Sequence, residues 1–151
     1  MASTPHRGDP TVQLLTRIAA TFSGVAGDHA ASQLGHLLLE AGKSGEALPH
    51  LERAAHSEFK AIAAPASLAA GRAHLTQVGT GSSDAVALAK ARNAFRLADR
   101  MATDIGMWSI AEQARAEGYA AAPRATPAPQ TENIQGRRQP RGAPAKPDRT
   151  L

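Results

Sequence analysis

The stretch that decides the fold runs from Leu34 to Ala54: Leu-Gly-His-Leu-Leu-Leu-Glu-Ala-Gly-Lys-Ser-Gly-Glu-Ala-Leu-Pro-His-Leu-Glu-Arg-Ala. Its apolar residues recur at helical spacing. Ala30, Leu34, Leu37, Leu38 and Ala41 share one face, and Ala47, Leu48, Leu51, Ala54 and Ala55 share another. Gly42 stands where a left-handed residue ends a helix, and Ser44 is placed to cap the next one. A connection this short forces the two helices to fold back as an antiparallel hairpin.

Working outward, Asp9-Pro10 opens a helix through Leu15, Ile18, Ala19 and Phe22, with Gly24 and Gly27 as its stop. Asp28 is the expected cap of the second helix. Pro49 lies inside the third helix, where it removes one early hydrogen bond and predicts a start frayed by a turn. Beyond the hairpin, Pro65 is placed to open a helix reaching about Val78. Gly79–Ser83 reads as a loop, and a long helix follows from Ser83 or Asp84 to Ile105. A last helix runs from about Met107 to Tyr119. No segment alternates with the period of a strand. The expectation is an all-α chain of five or six helices in hairpins.

The Leu34–Ala54 pattern resembles a tetratricopeptide repeat. Leu34-Gly35 fall at the repeat's Leu-Gly pair, Leu38 at the first helix's aromatic position, and Gly42 at the turn. Ala47, Leu51 and Ala54 fall at the small, large, small positions of the second helix. Gly71, then Ala91, Phe95 and Ala98, repeat the pattern more loosely, with eight extra residues that include Gly79–Ser83. Ala91–Trp108 is also similar to the last repeat of many actinobacterial transcriptional regulators, with its Ile105-Gly106-Met107 step. The resemblance covers roughly residues 28–120 and implies a short helical array in which small residues let helices pack closely. With fewer than three full repeats, either the first and last helices cap the array or a homodimer completes it.

The resemblance also implies a function. First helices of the hairpins would line a groove that binds a protein or peptide partner. Carried onto this chain, the groove positions are His29, Ser32, His36, Leu39 and Glu40, then Arg72 and Leu75, with His74 and Gln77 beside them. The Lys, Arg and Asn residues with which chaperone-type members clamp a C-terminal carboxylate have no counterpart at His29–Glu40. Leu39 lies off the core stripe and needs either a partner or a neighbouring helix. The setting implied is bacterial regulation, with no DNA-reading helix in view.

Composition agrees with this and excludes other classes. Of 151 residues, 34 are Ala, none is Cys, and only 3% are aromatic. There is no disulfide framework or Cys-based zinc site, and no run of roughly 20 apolar residues to cross a membrane. The polar start, Met1 to Pro10, lacks an apolar signal core, so a cytoplasmic location is expected. Residues 1–121 carry 11 Lys/Arg and 11 Asp/Glu, whereas residues 122–151 carry 6 and 2. The whole net charge of +4 therefore sits in the last stretch, which also holds six of ten prolines. These features predict three parts: a flexible N-terminus at 1–9, a neutral helical domain at 10–121, and a disordered basic tail at 122–151. Arg137, Arg138 and Arg141 form the densest basic run and suit weak, sequence-blind nucleic-acid contact. Pro144-Ala-Lys-Pro147-Asp-Arg149 fits a short proline-rich ligand motif.

No catalytic constellation is visible. His29 and His36 are seven apart on one helix, about 10 Å along it, too far to share a zinc whose ligands sit about 2 Å away. Ala41-Gly42-Lys43-Ser44 shares the end of a phosphate-binding loop, but the required earlier glycine is Leu37 and no strand precedes it. Arg7-Gly8-Asp9 spells an integrin-type tripeptide that a helix cap explains. The chain is expected to be a non-enzyme without metal or cofactor.

Overall fold

The computed structural model describes residues 8–79 and 84–122. Among these, six helices and no strand are present: α1 (Pro10–Thr21), α2 (Gly24–Glu40), α3 (Ser44–Ala55), α4 (Lys60–Thr76), α5 (Asp84–Asp104) and α6 (Trp108–Ala120). The expected tail beyond Ala122, most of the expected flexible N-terminus, and residues 80–83 of the expected loop lie outside the described residues. Each helix packs against the next in chain order, and α2 touches α4 as α4 touches α6.

Local chemistry places most helix ends. Asp9 caps α1 by accepting from the Thr11 amide at 2.8 Å, and Pro10 occupies the first turn. Two helices end in the same double hydrogen bond around a left-handed glycine. At Gly42 (φ 75°) its amide donates to Leu39 and the Lys43 amide to Leu38. At Gly106 (φ 75°) its amide donates to Thr103 and the Met107 amide to Ala102.

Several boundaries differ from the sequence expectation. Helix α2 begins at Gly24, not Asp28, and Gly27 lies buried within it. A Cβ on Gly27 would stand 2.0 Å from the Phe22 carbonyl oxygen. That glycine makes room for the end of α1 and does not break a helix. Helix α4 begins at Lys60, five residues before Pro65, because Phe59 serves as its N-cap: the Phe59 carbonyl accepts from the Ile62 and Ala63 amides, each at 2.9 Å. Helix α3 starts intact at Ser44 despite Pro49, with the Ala47 amide on the Lys43 carbonyl at 2.9 Å. Lys43, and not Ser44, is its N-cap residue.

Helix α4 is the centre of the molecule. It packs against α2, α3, α5 and α6, and eleven of its 17 residues are buried, so its apolar character runs around most of its circumference. The core is built mainly of Ala and Leu. One cluster joins Leu34 and Leu38 of α2 to Leu48 and Leu51 of α3 and Ala69, Ala70 and Ala73 of α4. Another joins Leu68 of α4 to Ala91, Phe95 and Ala98 of α5 and Ala114 of α6. Two glycines set the spacing. A Cβ on Gly35 would lie 2.5 Å from Leu51 Cγ, and one on Gly71 would lie 2.6 Å from Phe95 Cε1. Each large side chain thus rests directly on the backbone of the helix before it.

Gly35→Ala and Gly71→Ala should therefore lower stability by about 1–3 kcal/mol each through overpacking. Gly45, on the open side of α3 with no atom near its missing Cβ, gives the control. Gly45→Ala should be neutral or raise stability by about 0.5–1 kcal/mol. Urea unfolding midpoints of the three variants check this.

Candidate partner-binding surfaces

The predicted groove residues have separate fates. His29 and Glu40 are exposed on α2. Ser32 is buried, and its carbonyl lies 2.7 Å from the half-buried His36 Nδ1. Leu39 is half-buried and packs against the Leu34–Leu38–Leu48 cluster, so a neighbouring helix supplies the partner that it needed. Leu75 packs in the same way against the Phe95 cluster. Arg72 is held: its Nε donates to both Glu117 carboxylate oxygens at 3.0 and 2.9 Å, and its Nη2 donates to Glu117 Oε1 and, at 3.1 Å, to Gln113 Oε1. The bond to Glu117 pushes its pKa further up. Arg72 thereby ties α4 to α6. The structure brings Ser32 and His36 together through the Ser32 carbonyl, and holds Arg72, Leu39 and Leu75 in contacts within the fold. Arg137, Arg138 and Arg141 lie outside the described residues.

A cleft of about 220 Å³ opens instead over α4, between α3 and α5. Glu52, His56, Ser67, His74, Lys90 and Asn93 contribute its polar lining. His74 is buried and its Nε2 lies 3.3 Å from Glu52 Oε1. Burial pushes the His74 pKa down, Glu52 opposes this, and the Lys90 charge adds to it. On α3, burial and the Arg53 charge likewise lower His50. Ser67 is 1% exposed, and its hydroxyl has no hydrogen-bond partner among the described residues. Ser67 and His74 are seven apart on α4, about 10 Å along the axis, so the imidazole does not reach the hydroxyl to activate it. No group of His, Asp and Glu among the described residues is gathered to hold a metal ion. No described helix is long and apolar enough to cross a membrane.

The feature that sequence reasoning missed is where the aromatic residues go. The chain has five. Phe95 alone is buried, at 1% exposure, while Phe22, Phe59, Trp108 and Tyr119 are 54%, 47%, 61% and 86% exposed. Phe22 follows α1, Phe59 precedes α4, and Trp108 opens α6. In an up-and-down order of helices, those three turns fall at the same end of the stack. Ile105 and Val25, also exposed, belong to that end. Lys60 and Asp104, 2.9 Å apart, tie the α3–α4 turn to the α5–α6 turn. Arg53 ties α3 to the α1–α2 turn: its guanidinium donates to the carbonyls of Ala19 and Phe22, the latter at 3.0 Å, and lies 3.6 Å from Asp28. The signal was in the helix stripes, since Phe22, Phe59 and Trp108 all sit at helix boundaries.

No protein family, curated protein or solved structure matches the chain.

Two outcomes are expected, one from His74 of the α3–α5 cleft together with His50 on another face of α3, and one from Ser67. Both His50 and His74 have depressed folded-state pKa values, so their contribution is fully present above the unfolded value of about 6.5 and is lost as pH falls. The unfolding midpoint should drop between about pH 7.5 and 5, and drop less in His74→Gln, as thermal melts across that range would reveal. Ser67→Ala should raise stability by about 1 kcal/mol, because it removes a buried hydroxyl without a partner; chemical denaturation reads this.

Proposed function

We propose that this chain is a non-catalytic protein-interaction module, a short tetratricopeptide-like array that binds a partner protein or peptide in a bacterial regulatory setting. One observation carries the reading: four of five aromatic side chains are exposed, three of them at one end of the stack. Aromatic side chains are costly to leave in water and are enriched at interfaces, where a few of them dominate binding. A chain so poor in aromatics that nonetheless fills its core with Ala and Leu has reserved these residues for contact.

The repeat-like reading has support of its own. Gly35 against Leu51 and Gly71 against Phe95 are the same small-to-large contact in successive hairpins. The helices that carry the glycines, α2 and α4, touch one another, and α4 touches α6. Binding is assigned to the aromatic end in preference to the predicted groove face, because Arg72, Leu75, Leu39 and Ser32 are engaged within the fold.

The test compares wild type with the Phe59→Ala/Trp108→Ala double variant as baits in lysate of the source organism. The wild type is expected to retain a partner whose binding the variant weakens by about 2 kcal/mol or more. Stability should change by less than about 0.5 kcal/mol per exposed site. Equal retention by both baits, or no partner on the wild type, refutes the reading.

A further inference from the structure

A second surface lies at the far flank of the stack. Helix α2 is flanked by α1 and α3, and α4 by α3 and α5, whereas α6, the last described helix, packs on α5 and touches α4 and has no later helix beside it among the described residues. The open flank is a groove of about 460 Å³. Its floor is apolar and shallow-sided. Phe95 lies beneath it, and Ala114 and Gly118 of α6 present almost no side chain. Gly118 is small because α5 comes close: a Cβ there would stand 3.2 Å from Phe95 Cβ.

The rim is positive. Arg92 and Arg96 stand one turn apart on α5, and Arg115 faces them from α6. Asp99 is the one acidic residue of the lining, and Arg115 already holds it at 2.8 Å. Arg92 and Arg96 have no acidic partner among the described residues. Tyr119, 86% exposed, stands at the end of the groove.

We propose that this groove is the docking slot for an acidic amphipathic helix of a partner protein. The proposal rests on the interaction reading above and adds a second surface to it. The small, apolar floor accepts the apolar face of a helix, as α2 accepts α3. The two arginines without partners then meet Glu or Asp on the flanks of that helix. Charge argues against the chain's own last stretch as the occupant, since residues 122–151 carry 6 Lys/Arg against 2 Asp/Glu. A nucleic-acid strand would use the arginines and leave the apolar floor uncovered.

The experiment uses the full chain and a fluorescein-labelled designed helix with Leu and Ala on one face and Glu elsewhere. Fluorescence anisotropy is the readout. Its Lys-for-Glu counterpart, a scrambled Glu peptide and single-stranded oligothymidylate are compared. Saturable binding of the amphipathic Glu helix alone is expected, weakening as salt rises. The R92E/R96E variant should loosen it by about tenfold or more, with R92Q/R96Q in between. Leu14→Ala, at an exposed position of α1 that lines no part of this groove, should leave it unchanged. Equal binding of the scrambled peptide or the oligonucleotide would overturn the proposal, as would indifference to both arginine variants. Formation of dimers that exclude the peptide would assign the slot to a second copy and overturn it too. Failure here, with a partner still captured through Phe59 and Trp108, would leave the interaction reading standing and remove only this slot.

Discussion

The close approach of helix backbones governs this molecule. Leu51 rests on Gly35 and Phe95 on Gly71, each within a distance that a single added carbon would violate. Helices held this near to one another leave no room for large side chains between them, so the core fills with alanine. The largest fully buried side chains are Phe95, Leu34, Leu51 and Ser67. A core of that kind contributes little apolar area per residue, which makes packing fit important at every contact. It also explains the surface. The bulky aromatics that do not fit inside stand at the turns and on the last helix.

Polar links hold the stack at its edges. Arg53 ties α3 to the end of α1, Arg72 ties α4 to α6, Lys60 reaches Asp104, and Arg115 reaches Asp99. Exposed ion pairs of this kind contribute about 0–1 kcal/mol each. Their value lies in fixing which turn lies beside which, and so in holding Phe22, Phe59 and Trp108 on adjoining turns. The helical body is electrically balanced as a whole, yet it is uneven in detail. The arginines of α5 that find no acidic partner among the described residues concentrate positive charge beside α6.

Much of the fold was legible in sequence because the signals were local. The stripe Leu34–Leu38–Ala41 and the Gly42 stop specify a helix and its end without reference to anything distant, and the Ile105-Gly106-Met107 step does the same. Asp28 and Pro65 misled for a physical reason. Residues that can start a helix need not do so when an earlier backbone conformation and burial already favour one, as at Gly24 and Phe59. The candidate site was far less legible. Groove positions were carried over from a resemblance, but Ser32 and Leu39 turned inward and Arg72 found Glu117, 45 residues away. The cleft around Ser67 and His74, and the arginine-lined groove beside α6, join residues from separate helices. No pattern within one helix announces them.

The aromatic residues at the turns belong to the surface of the folded protein and not to its core. Trp108 is the only tryptophan, so its fluorescence reports on that surface without interference. The most direct measurement is acrylamide quenching of the full chain, folded in buffer and unfolded in urea. A red-shifted emission and nearly equal quenching in both states are expected of a tryptophan that is 61% exposed. A blue-shifted indole protected from acrylamide in the folded protein would contradict it.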